Sequence, residues 1–453
     1  DNQEIGVDIN WGITPEVSLS GTLNPDFSQV EADVAQLNIN NTFALFFDER
    51  RPFFVENQDY FSSNQNLIYT RNINAPDYGA KVTGRVDQHS IGFFVANDDS
   101  TRFIVPGNLG SSVALIEEES INLASRYRFD YSDDISVGLI STLRSSDSYE
   151  NLVLGIDTRI RLSQQDTLRA QIVGSQTEYP DFLQQSFCDN DCTAAEDFSE
   201  AALRTESSEA FSGKSYILTY NRETEHYTLN ARHSATEADF RADLGFVNTV
   251  DRSQSVIGGS YVWRESNSWW NEVRVNGDWD ITYNDNNELI ERELEGYASI
   301  RAQYQTFARI GWRTRDQVGL RADQSTLAIT NNTDLFEETS LSFYFETRPN
   351  HIISYDFFTR VGDRIDFANN RLGEQVYFEN EIKLNLGTHL RVELEHTYSD
   401  LDAADDDLFV ANLVDLRMTY QFDTRQFLRV IVSYSDIERN QSNYTFSVDE
   451  KSR

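Results

Sequence analysis

Residues 151–162 read Asn-Leu-Val-Leu-Gly-Ile-Asp-Thr-Arg-Ile-Arg-Leu. In an extended chain Leu152, Leu154, Ile156, Thr158, Ile160 and Leu162 share one face, and Asp157, Arg159 and Arg161 share the other, because successive strand side chains point to opposite sides. The same alternation recurs from about Glu4 to Tyr434, in runs that stop at a short turn or a long polar loop and begin again. One apolar face and one charged face, repeated about twenty times, is the pattern of a transmembrane β-barrel. The expected fold is therefore all-β: one antiparallel barrel of about 20 strands, within roughly 16–24 because boundaries are the weakest part of such a reading.

Composition agrees. Mean hydropathy is −0.52, and no apolar run reaches the roughly 20 residues of a membrane helix. A barrel tolerates this, since half of each strand faces a wet interior. The 29 Phe, 21 Tyr and 6 Trp suit aromatic girdles at the two membrane interfaces. A propeller would repeat a motif every 40–50 residues or so, and none recurs. The runs also exceed the roughly 5–6 residues typical of soluble strands. Length alone would suggest two or three domains, but the continuous pattern argues for a single barrel domain over residues 1–453.

The net charge of −36, from 74 acidic and 38 basic residues, excludes a nucleic-acid binder, which needs basic patches. Nearly all the bases are Arg. Arg126, Arg128, Arg144, Arg169, Arg274, Arg313, Arg391 and Arg429 fall at inward-phase positions. They either pair with inward Asp and Glu to hold the lumen together or form a selectivity ring.

The rhythm breaks once at length. Pro25–Phe61 is dense and irregular, and it concentrates Asp26, Glu31, Asp33, Glu49 and Glu56 with Arg50 and Arg51. Residues 25–62 read as an inserted segment that plugs or constricts the lumen, where charges decide which solutes enter; the alternative is a salt-bridged plug that only stabilises. Phe46, Phe47, Phe53 and Phe54 read as packing residues. Alternation resumes at Asn66–Asn72, read as a strand, and Asn443–Val448 reads as the start of another. Asn97–Glu119 and Tyr179–Ser212 fall on the long-loop side.

Cys188 and Cys192, the only cysteines, sit in one polar loop with no His nearby. That spacing fits a local disulfide in an oxidising compartment better than a metal pair. The acidic runs Asn284–Glu288 and Asp400–Asp407 offer clustered oxygens, and Asp402, Asp405, Asp406 and Asp407 are candidate Ca²⁺ ligands; neither run has EF-hand spacing, and a solvated loop is the plainer reading. No other cofactor is expected. His89, His226, His233, His351, His389 and His396 are scattered, and no metal or nucleophile-elbow motif occurs. A Ser/His pair brought together in space would still make a membrane-embedded hydrolase, the third-ranked function.

Gly6-Val-Asp-Ile-Asn-Trp-Gly-Ile-Thr-Pro15, Asn24-Pro-Asp-Phe27, Val30-Glu-Ala-Asp33, Phe46-Phe-Asp-Glu-Arg-Arg-Pro-Phe-Phe54 and the later Phe240-Arg-Ala-Asp-Leu-Gly-Phe-Val-Asn-Thr-Val-Asp251 resemble the domain-of-unknown-function 5916 family. The resemblance implies an outer-membrane barrel of a Gram-negative bacterium, often preceded by a family-9-like carbohydrate-binding domain, and it implies no activity. That sugar-binding domain is not in this sequence, and closing C-terminal strands are expected beyond Arg453. The leading function is a non-enzymatic channel or translocation scaffold in outer-membrane lipid and lipopolysaccharide. The alternative is a sealed barrel whose acidic outer loops receive or anchor a partner protein or glycan.

Overall fold

The computed structural model describes residues 6–25, 27, 33–188, 190–206, 209–265 and 269–452. Of the residues singled out above, Asp26 and Glu31 lie outside that set. The chain forms one 21-stranded antiparallel sheet and a separate two-stranded hairpin. Neighbours in the large sheet follow chain order. Val7–Thr14 pairs with Val17–Leu23, which pairs with Tyr78–Val86, and the meander runs on to Phe427–Arg439 and the short Lys451–Ser452. Among the described residues no pairing joins Val7–Thr14 to the last strands.

Alternation decides which face is covered. In Glu150–Arg161, Asn151 and Val153 are buried, whereas Leu154 and Ile156 are 56% and 50% exposed. The next strand, Asp166–Glu178, places the 61%-exposed Ile172 beside Ile156. Across the sheet it is the apolar face that stands bare and the polar face that is covered, the reverse of a soluble sheet. At the rim with the short turns, exposed Tyr131, Trp263, Trp269, Tyr304 and Phe422 add an aromatic row.

Strand direction sorts the connections. The turns 15–16, 87–88, 131–134, 303–305 and 387–389 lie at one end, and the long connections 24–77, 99–119, 179–210, 237–251 and 319–334 lie at the other. Long strands with short turns at one end are the arrangement the alternation predicts.

Two local expectations are corrected. Asn66–Asn72 is not a strand. Its backbone bonds inward, with Tyr69 N donating to Leu244 O at 2.7 Å, and it closes in a short 3₁₀ turn, Thr70–Asn72. Asn443–Val448 is not a strand either: Asn443 Nδ2 donates to the carbonyls of Ala403, Asp406 and Asp407, which ties the chain to a turn. The connection 99–119 lies at the long-loop end as expected, and there it folds as the hairpin Thr101–Pro106 and Ser111–Ile116.

The long insertion runs to residue 77 and touches strands far apart in the sheet. Phe54 and Phe61 pack with Phe94 and Ala124, strands of the first half. Leu37 and Ile39 pack on Leu401, Leu408, Phe409 and Ala411, near the other edge. One short segment reaches both, so the sheet curls around it and the covered face is an interior.

Candidate functional site

The insertion is anchored by one arginine. Arg51 is 7% exposed. Its Nε and Nη2 donate to the two oxygens of Glu49 at 2.9 and 2.6 Å; Nη2 also donates to Thr70 O at 2.7 Å, and Nη1 donates to Ile73 O at 2.6 Å. Its guanidinium carbon lies 4.5 Å from the centre of the Phe54 ring. Glu49 also accepts from Thr70 Oγ1 at 2.7 Å. Burial opposes the ionised Glu49 carboxyl, but the Arg51 and Thr70 bonds outweigh it and hold the carboxyl below its usual range. Every nitrogen of the Arg51 guanidinium is thus engaged, which makes it a staple. Asp33 pairs with Arg71 and lies 3.7 Å from Arg50. Glu56 is exposed; its backbone N–H donates to Pro52 O at 3.0 Å and its carbonyl accepts from Lys81 Nζ.

The second insertion, 237–251, holds the first one from behind. Asp243 is buried, and its carboxylate accepts from Tyr149 OH at 2.8 Å and Tyr179 OH at 3.3 Å. Its carbonyl accepts from Asn72 Nδ2 at 3.0 Å, and its N–H donates to Asn151 Oδ1 at 3.0 Å. Burial pushes the Asp243 carboxyl up to about 6 against the lowering effect of both tyrosines and of Arg241 and Arg144. Arg144, fully buried, bonds Asp98 Oδ2 at 3.1 Å and Asn72 O at 3.0 Å. At the long-loop end, Arg321 joins Glu200 and Asn108, and Asn108 joins Asp251.

Open space remains on the other side of the insertion. A cavity of about 590 Å³ lies between residues 40–43, the 246–249 stretch and an interior wall that carries Arg252, Glu291, Arg315 and Arg364. A second, of about 600 Å³, lies between residues 34–41 and a wall that carries Asp356, Arg360, Glu379 and Glu395. Asn40, Asn41 and Arg364 line both. Asn40 separates them: its Nδ2 donates to Ile365 O at 2.8 Å and its Oδ1 accepts from Phe367 N at 3.0 Å. Its φ of 54° is a left-handed conformation that Asn tolerates.

The inward arginines mostly find acids. Arg126 forks onto Asp157 at 2.6 and 2.9 Å, Arg313 lies 3.7 Å from Glu293, and Arg274 lies 3.3 Å from Glu272. Arg315 reaches Glu291 at 3.6 Å and hydrogen-bonds Glu338 at 2.7 Å.

Of the charges that the sequence concentrates in residues 26–56, Glu49 borders a third cavity, of about 620 Å³, beside Phe46, Phe53 and Lys81; the two cavities between the insertion and the far wall are bordered by Asn40, Asn41 and the wall arginines. Asn40 and Asn41 carried a turn signal, but nothing local says which wall they meet. Arg252 and Arg364 share the inward phase with a dozen others.

The acidic runs serve hairpins and loops. Ala404 and Asp405 form a two-residue turn with φ of 57° and 62°, and Asp406 accepts from Asn440. Glu288 accepts from the N–H groups of Ile329 and Thr330 at 3.0 and 2.9 Å. Burial opposes its charge, yet these bonds and Asn284 bring it down to about 2. Among the described residues no three His, Cys, Asp or Glu side chains cluster as metal ligands. His233 Nδ1 meets Ser255 Oγ at 2.9 Å, but its other nitrogen faces Tyr216 OH rather than a carboxylate, and a nucleophile's base needs an orienting partner. Cys188 and Cys192 form a disulfide, with Cα atoms 5.7 Å apart.

Residues 1–104 match the model of the Domain of unknown function (DUF5916) family, the family that the sequence motifs resemble. No curated protein matches the chain. Among solved structures, OccK5 (OpdH) of Pseudomonas aeruginosa is similar at a TM-score of 0.40 and 8% identity, covering 79% of this chain and 91% of that one. OccAB3 of Acinetobacter baumannii gives 0.40 and 11%, covering 80% and 91%. The siderophore receptor PirA of Pseudomonas aeruginosa gives 0.45 and 9%, covering 80% and 69%.

Proposed function

We propose that this chain is a non-enzymatic outer-membrane β-barrel that passes or translocates a polar solute through a lumen divided by residues 34–43. The observation that carries the reading is the inverted burial. Rows such as Leu154–Ile156 and Ile257–Trp279 stand bare on one face while charges fill the other. Contiguous apolar surface on this scale exceeds the few hundred Å² a soluble monomer exposes, and lipid is the solvent that accepts it. In lipid every backbone group needs an internal partner, which requires a closed sheet. A barrel of about 20 strands is wide enough for water or a plug.

The insertion divides by role. Residues 47–73 are pinned by the Arg51 staple and belong to the wall. Residues 34–43 face both cavities and form the partition. Planar-bilayer recording tests the reading: removing 34–43 should raise conductance several-fold. A second reading, a sealed barrel that serves as a receptor or anchor, draws on the dense bonding of Arg51, Arg144 and Asp243; it predicts no conductance with or without 34–43.

A further inference from the structure

Among the described residues, three arginines of the first cavity, Arg232, Arg252 and Arg364, have no hydrogen-bond or ion-pair partner, and Arg252 and Arg364 are the two deepest in the wall. Arg252 opens the strand Arg252–Arg264 and Arg364 lies near the end of Ile353–Asp366. Both line the cavity of about 590 Å³. Among the described residues neither guanidinium makes a hydrogen bond or an ion pair within 4.0 Å. On Arg51, by contrast, every guanidinium nitrogen meets a carbonyl or carboxylate acceptor, and on Arg144 both Nη atoms do.

The cavity is also basic against the grain of the chain. Arg232, Arg252, Arg315 and Arg364 line it with one acid, Glu291, in a protein of net charge −36. Glu291 already faces Arg315 at 3.6 Å. Glu338, the acid nearest Arg364's side of the wall, is spent on Arg315 and on Ile365 N. Glu291 and Asp280 act on Arg252 through space, and neither makes an ion pair with it. The rest of the lining is mainly amides and hydroxyls such as Asn40, Thr42 and Gln254. The second cavity has the opposite balance, with Asp356, Glu379, Glu381 and Glu395 against Arg360 and Arg364.

We propose that the first cavity binds a small oxyanion, a solute bearing carboxylate or phosphate, held by Arg252 and Arg364. An arginine stays protonated at any physiological pH, and a partly desolvated charge without a partner is costly. A planar carboxylate or a phosphate supplies the acceptors that each fork lacks, in a bidentate geometry. The site rests on the reading of the interior as open to solutes, but binding and conductance are separate observables.

The experiment is calorimetric titration of the full chain in detergent at low salt, with inorganic phosphate and with succinate as probes. The expected result is saturable one-site binding, weakened at least about tenfold by Arg252→Gln and by Arg364→Gln and unchanged by Arg85→Gln. Arg252→Lys and Arg364→Lys should fall between, since the charge remains and the fork is lost. An unchanged urea midpoint shows that each variant has folded. Competition between the probes supports a general oxyanion site, and saturation by one alone supports that solute class. No saturable binding of either probe, or full affinity in either Gln variant, overturns the proposal. Binding without conductance keeps the site and removes the channel, and conductance without binding does the reverse.

Discussion

Asn40 and Ile365 stand 325 positions apart, yet Asn40 Nδ2 donates to the Ile365 carbonyl at 2.8 Å. The same amide accepts from Phe367 N. This one side chain fastens the insertion to the far wall and separates the two cavities. Asn40→Ala removes both bonds, leaves two backbone groups without partners and places Ala at a φ of 54°. The expected cost is about 2–4 kcal/mol, read as a lowered urea midpoint. An unchanged midpoint would show that the partition is not fastened there.

Arg51 gives the larger effect. Glu49 keeps only 7% of its side chain exposed beside it. Arg51→Ala should therefore cost about 3–5 kcal/mol, because it strands a buried carboxylate. Arg51→Lys should recover less than half, since an ammonium cannot reach Glu49, Thr70 and Ile73 together. Urea unfolding of the three proteins decides it, and full rescue by Lys would contradict the staple.

Asp243 sets a pH dependence. Burial raises its carboxyl from 3.8 to about 6, so between about pH 4 and 6 the folded protein binds a proton that the unfolded chain releases. Stability contributed by that proton is present below the unfolded value and is lost as pH rises to about 6. The full swing is on the order of 3 kcal/mol. The urea midpoint should fall across this window in the wild type, and Asp243→Asn should remove that component of the slope. An identical slope in the variant would rule Asp243 out as its source.

Ile257 tests the solvent of the bare face. It is 62% exposed and sits beside Trp279 on the neighbouring strand. In a lipid-facing barrel, Ile257→Arg near mid-strand should cost about 2–4 kcal/mol of folding into bilayers. On a water-facing surface the same change stays within about 0.5 kcal/mol. Folding titrations into lipid vesicles separate the two.

The period of two was legible because every residue of a long strand votes for it; Leu152 to Leu162 already separate the faces. The insertion was legible as a break in that vote. Its internal architecture was not. Asn66–Asn72 alternates like a strand, but Tyr69 and Leu67 meet the 237–251 segment, a partner that periodicity does not register. Glu49 and Arg51 stand out in the sequence as part of a dense run of charges, and burial joins the two as a staple. Arg252 and Arg364 looked like every other inward arginine. Only the packing of distant strands leaves those two, together with Arg232, without an ion-pair partner at the first cavity.

The most direct test of the central claim is conductance across a planar bilayer, recorded for the full chain and for the chain lacking 34–43. The account predicts discrete, steady steps that grow several-fold once the partition is removed. Their absence from both proteins, each folded and inserted, would contradict it.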